Sequence, residues 1–319
     1  MVAIVAVLSV SGYLLYSKKN IPAQLPIIAV VTLQSHPILD TVQENLLADL
    51  KNEGLEDGKN IQLVLRNANG QMQAVPTIAN EIASQNPRLI IAITTPMAQA
   101  VKKVAKCPVV FGAVTDPEGA GLFEGEGQGN ITGTSDAVPY DQQLRLIKRI
   151  KPGVTRLGVL FNPGEASSKF AMTELRKFAP EMGIALVEGS VNTSGDVYAV
   201  AQSLAGKVDA LLISTDNTVA VGIAAAVKVA SEKKIPLFAC DSGSVEKGAL
   251  AAVSAGYPQV GIDTGRLAVK MFNGEKNLPF LKAQGSEIYL NQRAAEMMST
   301  KIPDDVVANA TKVLTEIKD

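Results

Sequence analysis

The chain has 319 residues, 47% of them hydrophobic and 19% charged, a length that favours two globular domains over one and a composition that fills their cores. A net charge of −1 excludes the basic field that nucleic acid or an anionic membrane surface would require. Two cysteines (Cys107 and Cys240) and a single histidine (His36) cannot assemble a zinc site.

Residues 1–16 (MVAIVAVLSVSGYLLY) carry no charged side chain. They read as a signal peptide or uncleaved anchor, although they lack a basic n-region and fall short of the about 20 residues that span a bilayer. With a short linker they form the expected leader segment, 1–25. The globular pattern starts with a strand at 26–32 (PIIAVVT) and a polar break, LQSHP. A helix at 38–53 follows, with Leu39, Val42, Leu46, Leu47 and Leu50 on one face, and Gly54 stops it. Next come a strand at 60–67 (NIQLVLRN) and a helix at 72–85. Residues 89–122 read as a buried strand, a break at Thr94-Thr95, a helix opened by Pro96, and a strand closed by Thr115-Asp116-Pro117. A glycine-rich connection, 119–133, leads to a crossing strand at 132–135 and a helix at 136–150. Lys151-Pro152-Gly153 marks the boundary.

Beyond it the plan repeats: strand 156–161 (RLGVLF), loop 162–168 (NPGEASS), helix 169–182, strand 184–190 and helix 196–204. Residues 210–250 then mirror 89–122, with polar breaks at Ser214-Thr215-Asp216-Asn217 and Asp241-Ser242-Gly243-Ser244. Residues 248–261 (GALAAVSAGYPQVG) are read as a strand returning to the first lobe, followed by a helix at 260–272. Residues 287–290 recross, and a terminal helix at 304–318 packs on the second lobe. Aromatics are only 4%, and the Ala, Val, Leu and Ile that replace them suit parallel sheets covered on both faces.

The expected fold is therefore α/β: two similar Rossmann-like lobes with parallel sheets, built from βαβ units and joined by a three-crossing hinge. Lobe one takes 26–136 and 252–279; lobe two takes 137–251 and 280–319. Hydroxyl and carboxylate residues end four strands, two in each half. Ligands in open α/β sheets bind outside the carboxyl ends of strands, which places one small-molecule site between the lobes.

Several stretches carry a specific resemblance: QSHPI (34–38), TTPMAQ (94–99), AVTDPEGAGL (113–122), NITGTSDAVPYDQ (130–142), DNT (216–218) and SVEKGA (244–249). From about Pro26 to its end, the chain resembles bacterial ABC-transporter substrate-binding proteins of the tryptophan/tyrosine type, which have the type I periplasmic-binding-protein fold. The resemblance implies an extracytoplasmic, non-catalytic and monomeric receptor. It would capture an amino acid, often aromatic, and deliver it to a membrane permease with its ATPase. No cofactor and no metal are implied. The chain departs from the pattern near Ser167-Ser168 and at ACDS (239–242), which bears on the choice of ligand.

A zwitterion needs acceptors for its ammonium and donors for its carboxylate, because an unpaired buried charge costs several kcal/mol. Asp116 and Asp216, one per lobe, are the candidate ammonium acceptors, with Asp136 and Asp241 behind them. Each has an alternative reading as a turn or cap residue. Thr94 and Thr95 open a helix whose free N–H groups make a carboxylate cradle; Thr95 as N-cap with Pro96 at N1 is the competing reading. Ser35, Thr115, Ser168, Thr215 and Asn217 could supply further hydrogen bonds, and Tyr257 could pack on an aromatic ligand. His36 is read as a loop-positioning residue. A serine hydrolase is the enzyme alternative, without a G-x-S-x-G elbow to support it. A tethered sensor of the same fold, signalling to a membrane partner, is the other.

Overall fold

The computed structural model describes residues 25–123, 128–284 and 286–318, so the apolar segment 1–16 lies outside the described residues. In chain order the first part contains β1 (Ile27–Thr32), α1 (Pro37–Asn52), β2 (Gln62–Asn67), α2 (Val75–Ser84), β3 (Leu89–Ile93), α3 (Thr95–Val104), β4 (Val109–Gly112) and β5 (Ile131–Ser135). The middle contains α4 (Tyr140–Ile150), β6 (Arg156–Phe161), α5 (Ala166–Phe178), β7 (Ala185–Ser190), α6 (Val197–Ala205), β8 (Ala210–Ile213), α7 (Asn217–Val221) and α8 (Ile223–Lys233). The last part contains β9 (Leu237–Ala239), α9 (Ser242–Glu246), β10 (Ala251–Ser254), α10 (Tyr257–Phe272), β11 (Leu281–Lys282), β12 (Glu287–Asn291), α11 (Gln292–Met297), α12 (Asp304–Ala308) and β13 (Lys312–Leu314).

These strands form two sheets, ordered β11-β5-β4-β3-β1-β2 and β13-β12-β10-β9-β8-β6-β7. Every named pair in the first is parallel, while the second has one antiparallel pair, β10–β12. Period-two alternation explains why the first sheet is buried on both faces. Along β1, Ile28 and Val30 enter one core with Leu39, Val42 and Leu46 of α1. Ala29 and Val31 enter another with Val75, Ala79 and Ile82 of α2. Helix α10 joins the first lobe across α1, and the approach is close because Gly261 and Gly265 face it. A Cβ at Gly261 would stand 2.6 Å from the Val42 carbonyl oxygen.

The chain passes between the sheets after β5, after β10 and after β11. Residues 248–261 do not return to the first lobe as a strand. Instead β10 pairs parallel to β9 (Ala251↔Phe238) and antiparallel to β12 (Ala251↔Leu290), so it belongs to the second sheet, and the passage follows Ser254. The third passage likewise falls after Lys282, whose strand pairs with β5. The expected terminal helix is five residues long and gives way to β13, which pairs with β12 at the register Leu290↔Val313. Unpaired backbone on the β12 edge outcompetes helix propensity in the Thr311–Leu314 stretch. Helix α5 begins at Ala166, which puts Ser168 in its first turn rather than in a loop, and α4 begins only at Tyr140, which leaves Asp136 in the connecting passage.

Candidate ligand-binding cleft

The carboxyl ends of both sheets face one another across a cleft. Its wall from the first lobe includes Gln34, His36, Leu39, Thr94, Thr95, Thr115, Asp136 and Tyr257; Thr215, Asp216, Asn217, Ala220 and Asp241 face them from the second. The space between these walls is narrow, about 40 Å³, room for a few water molecules.

The donor end is built where β3 turns into α3. The helix starts at Thr95, so Thr94 rather than Thr95 occupies the N-cap position, and its side chain makes no capping bond. Thr94 has φ +88° and ψ 153°, a region that side-chain-bearing residues avoid at a cost of order 1–3 kcal/mol. Its N–H donates to the Gly112 carbonyl at 2.9 Å, while its buried hydroxyl has no partner among the described residues. Pro96 has no N–H to give, so the first turn offers the amides of Thr95 and Met97, which have no acceptor inside the helix. Next door, just past β4, Ala113 also has positive φ, +52°. Two backbone outliers thus stand at adjacent strand ends, both on the cleft wall.

The acceptor end is Asp136, 4% exposed. One carboxylate oxygen accepts from Thr115 Oγ1 at 3.1 Å and the other from Tyr257 OH at 3.2 Å. Burial lifts its carboxyl from the ordinary 3.8 to about 6, and the nearby Asp241 charge adds to the rise. Burial first, and then the Asp136 charge, push the Tyr257 phenol well above its usual value, so it remains a donor. Asp241 itself caps α9, accepting from the Ser244 amide and hydroxyl, both at 2.6 Å.

The two carboxylates singled out first from the sequence are engaged otherwise. Asp116 is half-buried, does not line the cleft, and accepts from the Gly119 amide at 3.0 Å as a turn residue. Asp216 does line the cleft, but its oxygens are taken. One caps α7 through the Val219 amide at 2.8 Å; the other accepts from the Asn162 amide at 2.5 Å and from Ser168 Oγ. Burial and then the neighbouring Glu165 raise its carboxyl to about 7. Glu165 in turn holds Asn217 Nδ2 at 2.7 Å and Thr218 Oγ1 at 2.6 Å. Ser168 thus supports Asp216 instead of lining the cleft, and Ser35 is exposed and bonded to Asp40 at 3.1 Å. Thr215 is fixed by Tyr140, their hydroxyls 2.6 Å apart. The cleft also recruits Gln34, His36 and Ala220, whose side chains no sequence motif assigns to a ligand.

The family model for ABC transporter substrate binding proteins matches residues 27–314, nearly everything from β1 to β13. The chain belongs to that family. This substrate-binding protein is 35% identical over 270 residues to the "Tyrosine-binding protein" of Clostridioides difficile (strain R20291), covering 83% of this chain and 78% of the relative. Among solved structures it is similar to an ABC domain from Streptococcus pneumonia in complex with L-Trp (28% identity, TM-score 0.86, 91% of this chain and 100% of that one). It is also similar to a ligand-free, open substrate binding protein with adhesive properties from Clostridium difficile (36% identity, TM-score 0.67, 92% and 100% covered). The more distant sequence gives the better superposition. The small enclosed space of the cleft agrees with a closed arrangement. The family and these relatives are solute-binding proteins, not enzymes.

Proposed function

We propose that this substrate-binding protein is the extracytoplasmic receptor of an ABC importer and captures an aromatic amino acid by closing its two lobes. The observation that carries the reading is the division of the cleft into a donor end and an acceptor end, with no Lys or Arg among its lining residues. A zwitterion suits that division. Its carboxylate takes the Thr95 and Met97 amides and the Thr94 hydroxyl at the positive end of α3. Its ammonium takes Asp136, flanked by Asp241 of the other lobe. Sugars would leave a buried carboxylate without a cation, an arrangement that costs several kcal/mol. The tyrosine-binding relative and the tryptophan-bound neighbour support an aromatic side chain.

Thermal-shift and calorimetric screening of all amino acids, with sugars and nucleosides as comparators, tests this reading. A micromolar dissociation constant, about −8 kcal/mol, is expected for tyrosine or tryptophan, together with a rise in melting temperature by mass action. Saturable binding of a sugar or nucleoside with no amino-acid response would refute it. So would equal affinity for desamino analogues, which lack the ammonium.

A further inference from the structure

His36 occupies the N-cap position of α1, in extended backbone (φ −153°, ψ 142°), but its side chain makes no capping bond. Its carbonyl accepts the Asp40 amide at 2.9 Å, and the Asp40 carboxylate is turned to Ser35. The imidazole is therefore released from the local duties that usually occupy a residue in this position. It is 7% exposed, and its Nε2 is buried with no hydrogen-bond partner among the described residues. A buried polar atom left in this way is costly unless something meets it. The ring's other edge is pinned: a Cβ at Gly243 of the second lobe would lie 2.6 Å from Cε1 and 3.0 Å from Nδ1. The imidazole thus cannot turn Nε2 away by swinging toward that lobe.

Position decides what Nε2 meets. Gln34, His36 and Ala220 line both the inner cleft and a larger outer groove of about 660 Å³ between the lobes. They stand where the cleft opens into that groove, whereas Thr94, Thr95 and Asp136 line the inner cleft alone. Resting on the proposed function, we infer that His36 is the specificity-determining residue, its Nε2 hydrogen-bonding the polar tip of the bound aromatic side chain when the lobes close. Imidazole nitrogen can donate or accept, so a phenol hydroxyl or an indole N–H satisfies it and a plain benzyl ring does not. The cleft should select tyrosine or tryptophan and reject phenylalanine.

The test is calorimetric titration of the full chain with tyrosine, tryptophan and phenylalanine, in the wild type and in His36→Phe and His36→Gln. A site built around a hydrogen bond rejects the analogue lacking it, here by about tenfold or more. His36→Phe keeps a ring in place and should collapse that ratio to within about threefold. His36→Gln restores a hydrogen-bonding tip and should recover part of it. NMR of the single histidine in the untouched chain is independent of whether the variants fold, and its Nε2 resonance should move differently with tyrosine and with phenylalanine. Equal wild-type affinity for phenylalanine and tyrosine would overturn the assignment. It is overturned equally if His36→Phe weakens all three ligands alike, or if the imidazole signal is identical in the two complexes. Failure of every amino acid to bind the wild type would instead remove the reading on which this one rests.

Discussion

Gly243→Ala isolates lobe closure from lobe stability. Gly243 is the second residue of α9 and its φ lies outside the left-handed region, so alanine fits the backbone without strain. Within lobe two the change is neutral or helpful, since alanine is favoured over glycine in a helix by up to about 1 kcal/mol. The Asp241 cap on Ser244 is unaffected. Across the cleft the effect reverses. The new methyl would lie 2.6 Å from His36 Cε1 and 3.2 Å from Ile38 Cγ2, inside ordinary contact distance. The imidazole is buried, so the lobes must stand further apart or repack, at about 1–3 kcal/mol. All of that falls on the closed state, because the open state separates the two surfaces. Apparent affinity should drop by about 5- to 150-fold, while the ligand-free melting temperature holds or rises slightly. Calorimetry with tyrosine, differential scanning and small-angle scattering with and without ligand measure the three quantities. Wild-type affinity in a folded Gly243→Ala protein would show that binding does not require the contact of His36 with Gly243, and would refute capture by this closure.

Asp136→Asn should lose ammonium binding and yet raise the stability of the ligand-free protein. A carboxyl raised from 3.8 to about 6 in this closed arrangement corresponds to up to about 3 kcal/mol, less what opening of the lobes rehydrates. Because its pKa is raised on folding, that stabilisation is complete below pH 3.8 and disappears as the pH rises through about 6. The gain in melting temperature from Asn should therefore appear above pH 6 and vanish near pH 4; a gain that does not vary with pH would assign it to packing. For the same reason wild-type affinity should be level above pH 6 and weaken below it, as protons compete with ammonium for the carboxylate. Asp116→Asn, which touches only its own turn, should leave affinity within about threefold. Asp216→Ala, by contrast, removes three hydrogen bonds, the α7 cap among them, and should cost lobe two about 1–3 kcal/mol in a denaturant melt before any affinity is considered. The reverse ranking would restore Asp116 and Asp216 as the ligand's acceptors.

The lobes are legible in the sequence because their elements repeat by physical rule: apolar runs such as LIIAI make doubly buried strands, and polar breaks at their ends fall on one side of a parallel sheet. The edges are less legible. Strand β13 exists because β12 presents an unpaired edge, which no local propensity encodes. In the cleft, residue type and strand-end position find Thr94, Thr95 and Asp136 but cannot rank the aspartates. Asp116 follows a strand end and precedes a proline just as a ligand residue would, yet its side chain turns back to Gly119. The sequence pattern puts Asp136 inside a helix that in fact starts four residues later. Direction, and the number of donors already engaged, are tertiary facts. His36 escapes sequence reasoning for the same reason: an unpaired nitrogen is visible only once every neighbour has been placed.

The electrostatics of the cleft also explain why closure should depend on a ligand. Closing brings Asp241 of the second lobe close enough to Asp136 to raise its carboxyl further, on top of burial. Neither Lys nor Arg lines the cleft to compensate. Without an ammonium group, closure therefore concentrates like charge and desolvates it, and the open state is favoured. On the proposed function, a bound zwitterion would reverse the sign at this point, placing a cation beside Asp136 and its carboxylate on the α3 amides. The differential affinity of such a ligand for the closed state would then be built from the same two carboxylates that oppose closure without it, and only that difference can shift the hinge. A ligand lacking the ammonium could fill the aromatic end and still fail to close the lobes.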